Sequence, residues 1–230
     1  MSTIISKGAD LAPFIDHTIL KPGCLLKDIE KICTEAMAYG FAAVCVPPLF
    51  VKHARAFCGD SKVKVATVIG FPFGYSCVEA KIAETVLAIV DGADELDVVI
   101  NFTAVKNNDW GLIANEINHL LPIIHSKNKV VKTIIESGIL TREEIIKCCD
   151  IYGLAGVDYV KTSTGYADKG ASIEAVELMR THLPDQVAIK ASGGIKTYEF
   201  ARDLVLAGAT RLGCSSSIAI ISGETATGNY

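Results

Sequence analysis

The sequence predicts a single (β/α)8 barrel on three observations: eight short apolar, β-rich runs recur along 230 residues, segments with helical spacing separate them, and no GxGxxG turn follows an early strand. Alternating strands and helices call for a parallel sheet covered by helices, and eight such units favour closing the sheet over leaving it open. A closed barrel carries its active residues at the C-terminal ends of strands and in the loops that follow.

The expected strands are 14–19, 42–46, 64–69, 95–100, 130–135, 158–161, 187–191 and 210–213. After the first, 26–39 reads as a helix, because Ile29, Ile32, Cys33, Ala36 and Met37 share one stripe and Gly40 supplies a stop. Segments 78–89, 112–125, 142–151, 173–180 and 198–206 read in the same way, several opening after Ser, Thr or Asn caps. Thr141 and Glu144 have capping-box spacing. Asp91-Gly92-Ala93-Asp94, Leu154-Ala155-Gly156-Val157-Asp158 and Ala207-Gly208-Ala209-Thr210 are helix exits feeding the next strand. No linker or low-complexity stretch divides the chain, so one domain over 1–230 is expected, with a loose polar tail at 222–230.

Lys and Arg total 22 against 26 Asp and Glu, a net charge of -4 that gives no general attraction for nucleic acid or an anionic membrane. Phosphate binding must then be local. The eight cysteines read as thiols in a chain far longer than disulfide-dependent scaffolds. Cys33, Cys45, Cys77 and Cys214 stand in apolar surroundings, and adjacent Cys148 and Cys149 are expected to be one buried and one exposed thiol. No Cys/His ligand spacing appears, so no metal is expected. The N-terminal stretch lacks a signal-peptide pattern, and the longest apolar run, 41–51, is too short for a membrane and is broken by Pro47 and Pro48. A cytoplasmic location is the expectation.

The strongest chemical signal is Val160-Lys161-Thr162-Ser163-Thr164-Gly165, a lysine ending an apolar strand. Its amine attacks a carbonyl only when neutral, and a solvated lysine, with a pKa of about 10.4, is charged at neutral pH. Val187-Ala188-Ile189-Lys190-Ala191 places a second lysine at the same depth in the neighbouring strand, so like charge and desolvation drive one of the two towards its free base. In Glu95-Leu96-Asp97-Val98-Val99, alternation turns Asp97 inward, where it can exchange protons with the lysine or carbinolamine. Asp16 and Thr18 on the first strand, and Lys132 and Glu136 around the fifth, add polar groups. His17 reads as a hydrogen-bonded core histidine, while His53, His119, His125 and His182 read as solvated. Gly193-Gly194 and Gly213-Cys214-Ser215-Ser216-Ser217 follow strands seven and eight, the loops where barrels commonly hold phosphate, and Lys196 adds charge there.

With Asp97, Lys161 and Lys190 placed together, the sequence resembles the deoxyribose-phosphate aldolase family over nearly its full length. The carriers are Asp16-His17-Thr18, Glu95-Leu96-Asp97-Val98-Val99, Val160-Lys161-Thr162-Ser163-Thr164-Gly165, Lys190-Ala191-Ser192-Gly193-Gly194-Ile195 and Gly213-Cys214-Ser215-Ser216. The resemblance implies reversible cleavage of 2-deoxy-D-ribose 5-phosphate to D-glyceraldehyde 3-phosphate and acetaldehyde, with no metal or other cofactor. It makes Lys161 the imine-forming lysine and gives proton transfer to Asp97 and Lys190. It also places Gly165, Gly193, Gly194, Ser215 and Ser216 by the phosphate and Thr18 and Cys45 beside the sugar chain. Asp16, Lys132, Thr164 and Gly213 complete the expected substrate site. Some members have a lysine where Tyr166 stands and an arginine where Lys196 stands, which softens phosphate affinity here. The alternatives are a Schiff-base aldolase for another phosphorylated sugar and a non-catalytic sugar-phosphate-binding barrel. A homo-oligomer, commonly a dimer, is expected.

Overall fold

The computed structural model describes residues 7–224. Eight parallel strands close into a barrel in chain order: β1 (Ile15–Thr18), β2 (Ala43–Val46), β3 (Lys64–Ile69), β4 (Glu95–Val99), β5 (Val130–Ile134), β6 (Tyr159–Lys161), β7 (Ala188–Ser192) and β8 (Arg211–Cys214). Closure comes from β8 pairing with β1, Asp16 opposite Gly213. Every strand end lies within one residue of its expected position, because strands covered on both faces form apolar runs bounded by turn residues.

Around the strands lie α1 (Leu26–Tyr39), α2 (Val51–Cys58), α3 (Val78–Val90), α4 (Phe102–Lys106), α5 (Trp110–His125), α6 (Arg142–Ala155), α7 (Ile173–His182), α8 (Tyr198–Leu206) and α9 (Ser217–Ser222). The expectation missed α2, α4 and α9. These are short; α2 buries only Val51, Ala54 and Cys58, too few positions for a periodic signal directly after Pro47-Pro48. The box at α6 forms as its spacing requires: the Glu144 N–H donates to Thr141 Oγ1 at 3.2 Å and the Thr141 N–H to Glu144 Oε2 at 2.7 Å. Gly40 and Gly156 end α1 and α6 in the left-handed region, where a side chain is strained.

Two cysteine expectations need correction. Cys77 is exposed, since it stands in the loop before α3 rather than on an apolar face. Cys148 and Cys149 are both buried, because Ile145, Cys148, Cys149 and Tyr152 form one stripe wide enough to take both neighbours. All eight cysteines are free thiols. Part of the expected tail, Ser222, belongs to α9, whereas 225–230, Tyr230 included, lie outside the described residues. Among the described residues no helix is long and apolar enough to cross a membrane.

Outward strand residues such as Val44, Val65, Leu96, Val160 and Ile189 join the main core beneath the helices. The barrel interior is divided. Its β2–β3 side presents small apolar groups, Ala43, Cys45, Ala66 and Val68. The remaining strands point ionisable side chains at one another, and that asymmetry locates the candidate site.

Candidate active site

Strand alternation and barrel register together assemble the ionisable groups. Asp97 pairs across the sheet with Lys132, and Lys161 with Lys190, so side chains from β4, β5, β6 and β7 converge at neighbouring levels. Lys161 Nζ donates to Asp97 Oδ2 at 2.6 Å, and Lys190 Nζ donates to the same oxygen at 2.7 Å. Lys132 Nζ takes the other oxygen at 2.7 Å and also lies 2.7 Å from Glu95 Oε2. Lys190 Nζ donates in addition to Asp16 Oδ2, while Arg211 Nη1 donates to Asp16 Oδ1 at 2.6 Å and to Glu95 Oε2 at 3.0 Å. Asp97, Lys161 and Lys190, separated by up to 93 positions in sequence, are thus brought together.

Three carboxylates (Asp16, Glu95, Asp97) therefore meet four bases (Lys132, Lys161, Lys190, Arg211) in one buried network. Buried charge without a partner is costly, so the network balances when one base is neutral. The environment selects Lys161. Burial, with the neighbouring Lys190 charge, lowers its pKa despite Asp97. Burial also opposes the charge on Lys190, but Asp16 and Asp97 together outweigh it and hold that ammonium well above the ordinary lysine range. Lys132 behaves likewise: burial is overcome by Asp97 and Glu95, and its pKa is pushed up to about 12. Asp97 is buried yet held well below the usual carboxylate range by Lys132, Lys161 and Lys190. Of the three lysines only Lys161 keeps any exposure, 3% against 0% for the others.

The other expected residues fall into distinct places. Asp16 and Lys132 are fully buried inside the network, where they orient Lys190 and Asp97. Cys45 lies on the apolar side of the interior, and burial pushes its thiol up to about 11. Gly165, Gly193, Gly194, Gly213 and Ser215 line one cavity of about 380 Å³, joined by Asp168, Gly170 and Lys196. That cavity adjoins the network through Gly213, on which a Cβ would come within 3.2 Å of Lys190 Cε. Ser216 and Thr18 instead line a neighbouring cavity of about 320 Å³ that shares Ser215. The Thr164 hydroxyl donates to Glu136 Oε2 and accepts from the Tyr166 N–H at 3.0 Å. His17 is a buried connector, its ring nitrogens each 2.8 Å from Ser217 Oγ and Glu35 Oε2.

Sequence reasoning missed Arg211 and Gly170, and read Glu136 only as a polar group able to orient its neighbours, without its partner Thr164. Arg211 carried the signal the lysines did, a base inside an inward-facing apolar strand. Gly170 had none, because its need is tertiary: a Cβ there would stand 2.2 Å from the Gly193 carbonyl oxygen. Gly170→Ala is accordingly expected to push these two loops apart and raise the KM for a phosphorylated substrate by about tenfold or more, as ångström-scale misplacement does; steady-state kinetics with an unchanged KM would show that the loops tolerate the separation.

The family model described as DeoC/LacD family aldolase matches residues 9–222 of the chain. The chain belongs to this aldolase family. The aldolase is 48% identical over 218 residues to the deoxyribose-phosphate aldolase of Thermococcus gammatolerans, covering 94% of this chain and 97% of that protein. It is 47% identical over 220 residues to the deoxyribose-phosphate aldolase of Streptococcus gordonii, covering 96% and 99% respectively. Among solved structures, the aldolase superposes on the deoxyribose phosphate aldolase of Aeropyrum pernix, described as a unique tetrameric structure, with a TM-score of 0.88 and 31% identity over 95% of this chain and 92% of that one. It also superposes on a protein described as QR15, an aldolase, with a TM-score of 0.87 and 39% identity over 93% and 95% of the two chains.

Proposed function

We propose that this aldolase reversibly cleaves 2-deoxy-D-ribose 5-phosphate to D-glyceraldehyde 3-phosphate and acetaldehyde through a Schiff base on Lys161. The observation that carries the reading is one carboxylate oxygen, Asp97 Oδ2, bonded at once to a lysine of lowered pKa and a lysine of raised pKa on adjacent strands. The 47–48% identity to deoxyribose-phosphate aldolases points to the same substrate.

In this reading neutral Lys161 attacks the C1 aldehyde of the open-chain sugar. Asp97 accepts a proton from the attacking nitrogen as the carbinolamine forms, and Lys190 then protonates its hydroxyl, which leaves as water and gives the iminium. The iminium then draws in the electrons of the C2–C3 bond as the C3 hydroxyl gives its proton to the Lys190 amine, which lost its own proton to the departing water. Glyceraldehyde 3-phosphate leaves, and an enamine remains on Lys161. Protonation of the enamine carbon and addition of water to the restored iminium release acetaldehyde and the free amine. The phosphate sits in the cavity of Gly165, Gly193, Gly194, Gly213 and Ser215, with Lys196 as a cation, and Thr18 and Ser216 border its far side. Asp16 and Lys132 hold the network in register, and Cys45 faces the sugar chain. No metal or cofactor enters the scheme. A cytoplasmic homo-oligomer, most simply a dimer, completes the proposal.

Borohydride added with the substrate is expected to inactivate the protein and leave a reduced two-carbon adduct on Lys161 by peptide mass analysis; an intact protein would falsify the imine. Turnover is expected to continue with a chelator present. Because burial and Lys190 lower the pKa of Lys161, the amine is neutral above that value and charged below it. The kcat/KM is therefore expected to fall as pH drops through that value, which lies below the ordinary lysine pKa of about 10.4; a kcat/KM profile with no such group titrating below the ordinary lysine value would contradict this.

A further inference from the structure

Beyond the network lies a buried acid that the chemistry above does not use. Glu136, two residues past the end of β5, is 2% exposed and has φ +54° and ψ +58°, the left-handed region that a glutamate occupies only under tertiary constraint. Its Oε2 accepts the Thr164 N–H at 3.1 Å and the Thr164 hydroxyl as well. Oε1 is buried with no hydrogen-bond partner among the described residues. A strained backbone and an unsatisfied oxygen are both retained for the bond to Thr164. Thr164 begins the segment 164–171, whose Gly165, Asp168 and Gly170 form one wall of the 380 Å³ cavity. The far end of that segment is fixed too, since the Ala171 N–H donates to the carbonyls of Ser192 and Gly193, both at 3.0 Å.

We infer that Glu136 is a positioning residue that latches the start of the β6–α7 loop and thereby sets the phosphate-binding cavity for substrate. This rests on the functional reading above in taking that cavity as the phosphate subsite. Glu136 itself touches Thr164 and not the reacting atoms. The loop is pinned at both ends, by a side-chain clamp at Thr164 and by backbone bonds at Ala171. The first pin can be removed by changing one side chain. Without it Gly165 loses its fixed relation to Gly193 and Gly194, while Gly170, next to the retained pin at Ala171, and Lys161, anchored in β6 by Asp97, keep their places.

The test compares Glu136→Ala, Glu136→Gln and Glu136→Gly with wild type, using 2-deoxyribose 5-phosphate, unphosphorylated 2-deoxyribose, and inorganic phosphate as a calorimetric ligand. Glu136→Ala is expected to raise the KM for the phosphorylated sugar by about tenfold or more with kcat nearly unchanged, to weaken inorganic phosphate alike, and to leave the KM for unphosphorylated deoxyribose in place. Glutamine keeps an acceptor at the Oε2 position and is expected to restore most of the affinity. Should the alanine variant fail to fold, glycine removes the clamp and adopts the positive φ without strain, so it is read in the same way. Unchanged phosphate affinity in the folded alanine or glycine variant overturns the inference, as does a glutamine variant as impaired as alanine. A wild-type protein that binds inorganic phosphate but does not cleave the sugar phosphate sinks the functional reading instead, and the phosphate titrations still decide the latch.

Discussion

Lys161→Leu is expected to lower kcat for deoxyribose 5-phosphate cleavage by about 10⁴-fold or more while leaving the fold at least as stable as wild type. The loss follows from removing the nucleophile, whose work no neighbour can take over: Lys132 and Lys190 are fully buried and held charged. The stability half is the sharper test. Lys161 is the fourth base among three carboxylates, and Asp97 keeps Lys132 on one oxygen and Lys190 on the other when it goes. Its lowered pKa means the unfolded chain binds that proton more tightly than the fold does, so at neutral pH the residue costs stability. The cost is full below the folded pKa and vanishes as pH rises past the unfolded value near about 10.4. Chemical denaturation of the leucine variant should accordingly show equal or greater stability at pH 7, with the difference shrinking at alkaline pH. Strong destabilisation at neutral pH would mean the amine is charged in the fold, and the nucleophile assignment would lose its basis.

Lys190→Leu should do the opposite to stability and a different thing to rate. Its ammonium bridges Asp16 and Asp97, and removing one partner from a buried ionic cluster costs about 3–5 kcal/mol. For a chain of this length each kcal/mol shifts melting by about 2–4 °C, so a fall on the order of 10 °C is expected. Because the folded pKa of Lys190 is raised, the stability it contributes is present below the unfolded lysine pKa and lost only as pH rises through the folded value. The deficit should therefore persist across neutral pH. Two effects bear on the rate: a proton donor is gone, worth about 10²–10⁴-fold, and the charge that helps keep Lys161 neutral is gone with it. The residual activity should show its rise at higher pH than wild type. A pH profile that keeps its position would leave Lys190 a structural cation only.

The contrast between two lysines that look alike in sequence shows where reading residues stops. Both stand in apolar strands, Lys161 at the end of β6 and Lys190 two residues before the end of β7; both were expected at the same depth, and the sheet does pair them. Which of the two is neutral depends on Asp16, supplied by β1 on the other side of the barrel seam, and on Arg211 behind it. The sequence separation between Asp16 and Lys190 is 174, and no local pattern reports that contact. Glu136 makes the same point: as a residue type beside the fifth strand it was visible, but its left-handed backbone and its bond to Thr164 were not.

The alternation of apolar runs and amphipathic segments was enough to specify eight strands, their ends, six of the helices and the two strand lysines, because side-chain periodicity is a local property written directly in residue order. The charge balance that singles out Lys161 and the close approach of Gly170 to Gly193 came only with the tertiary structure. Charge and contact at those places depend on through-space distances between groups far apart along the chain, and a low-dielectric interior makes each such distance count.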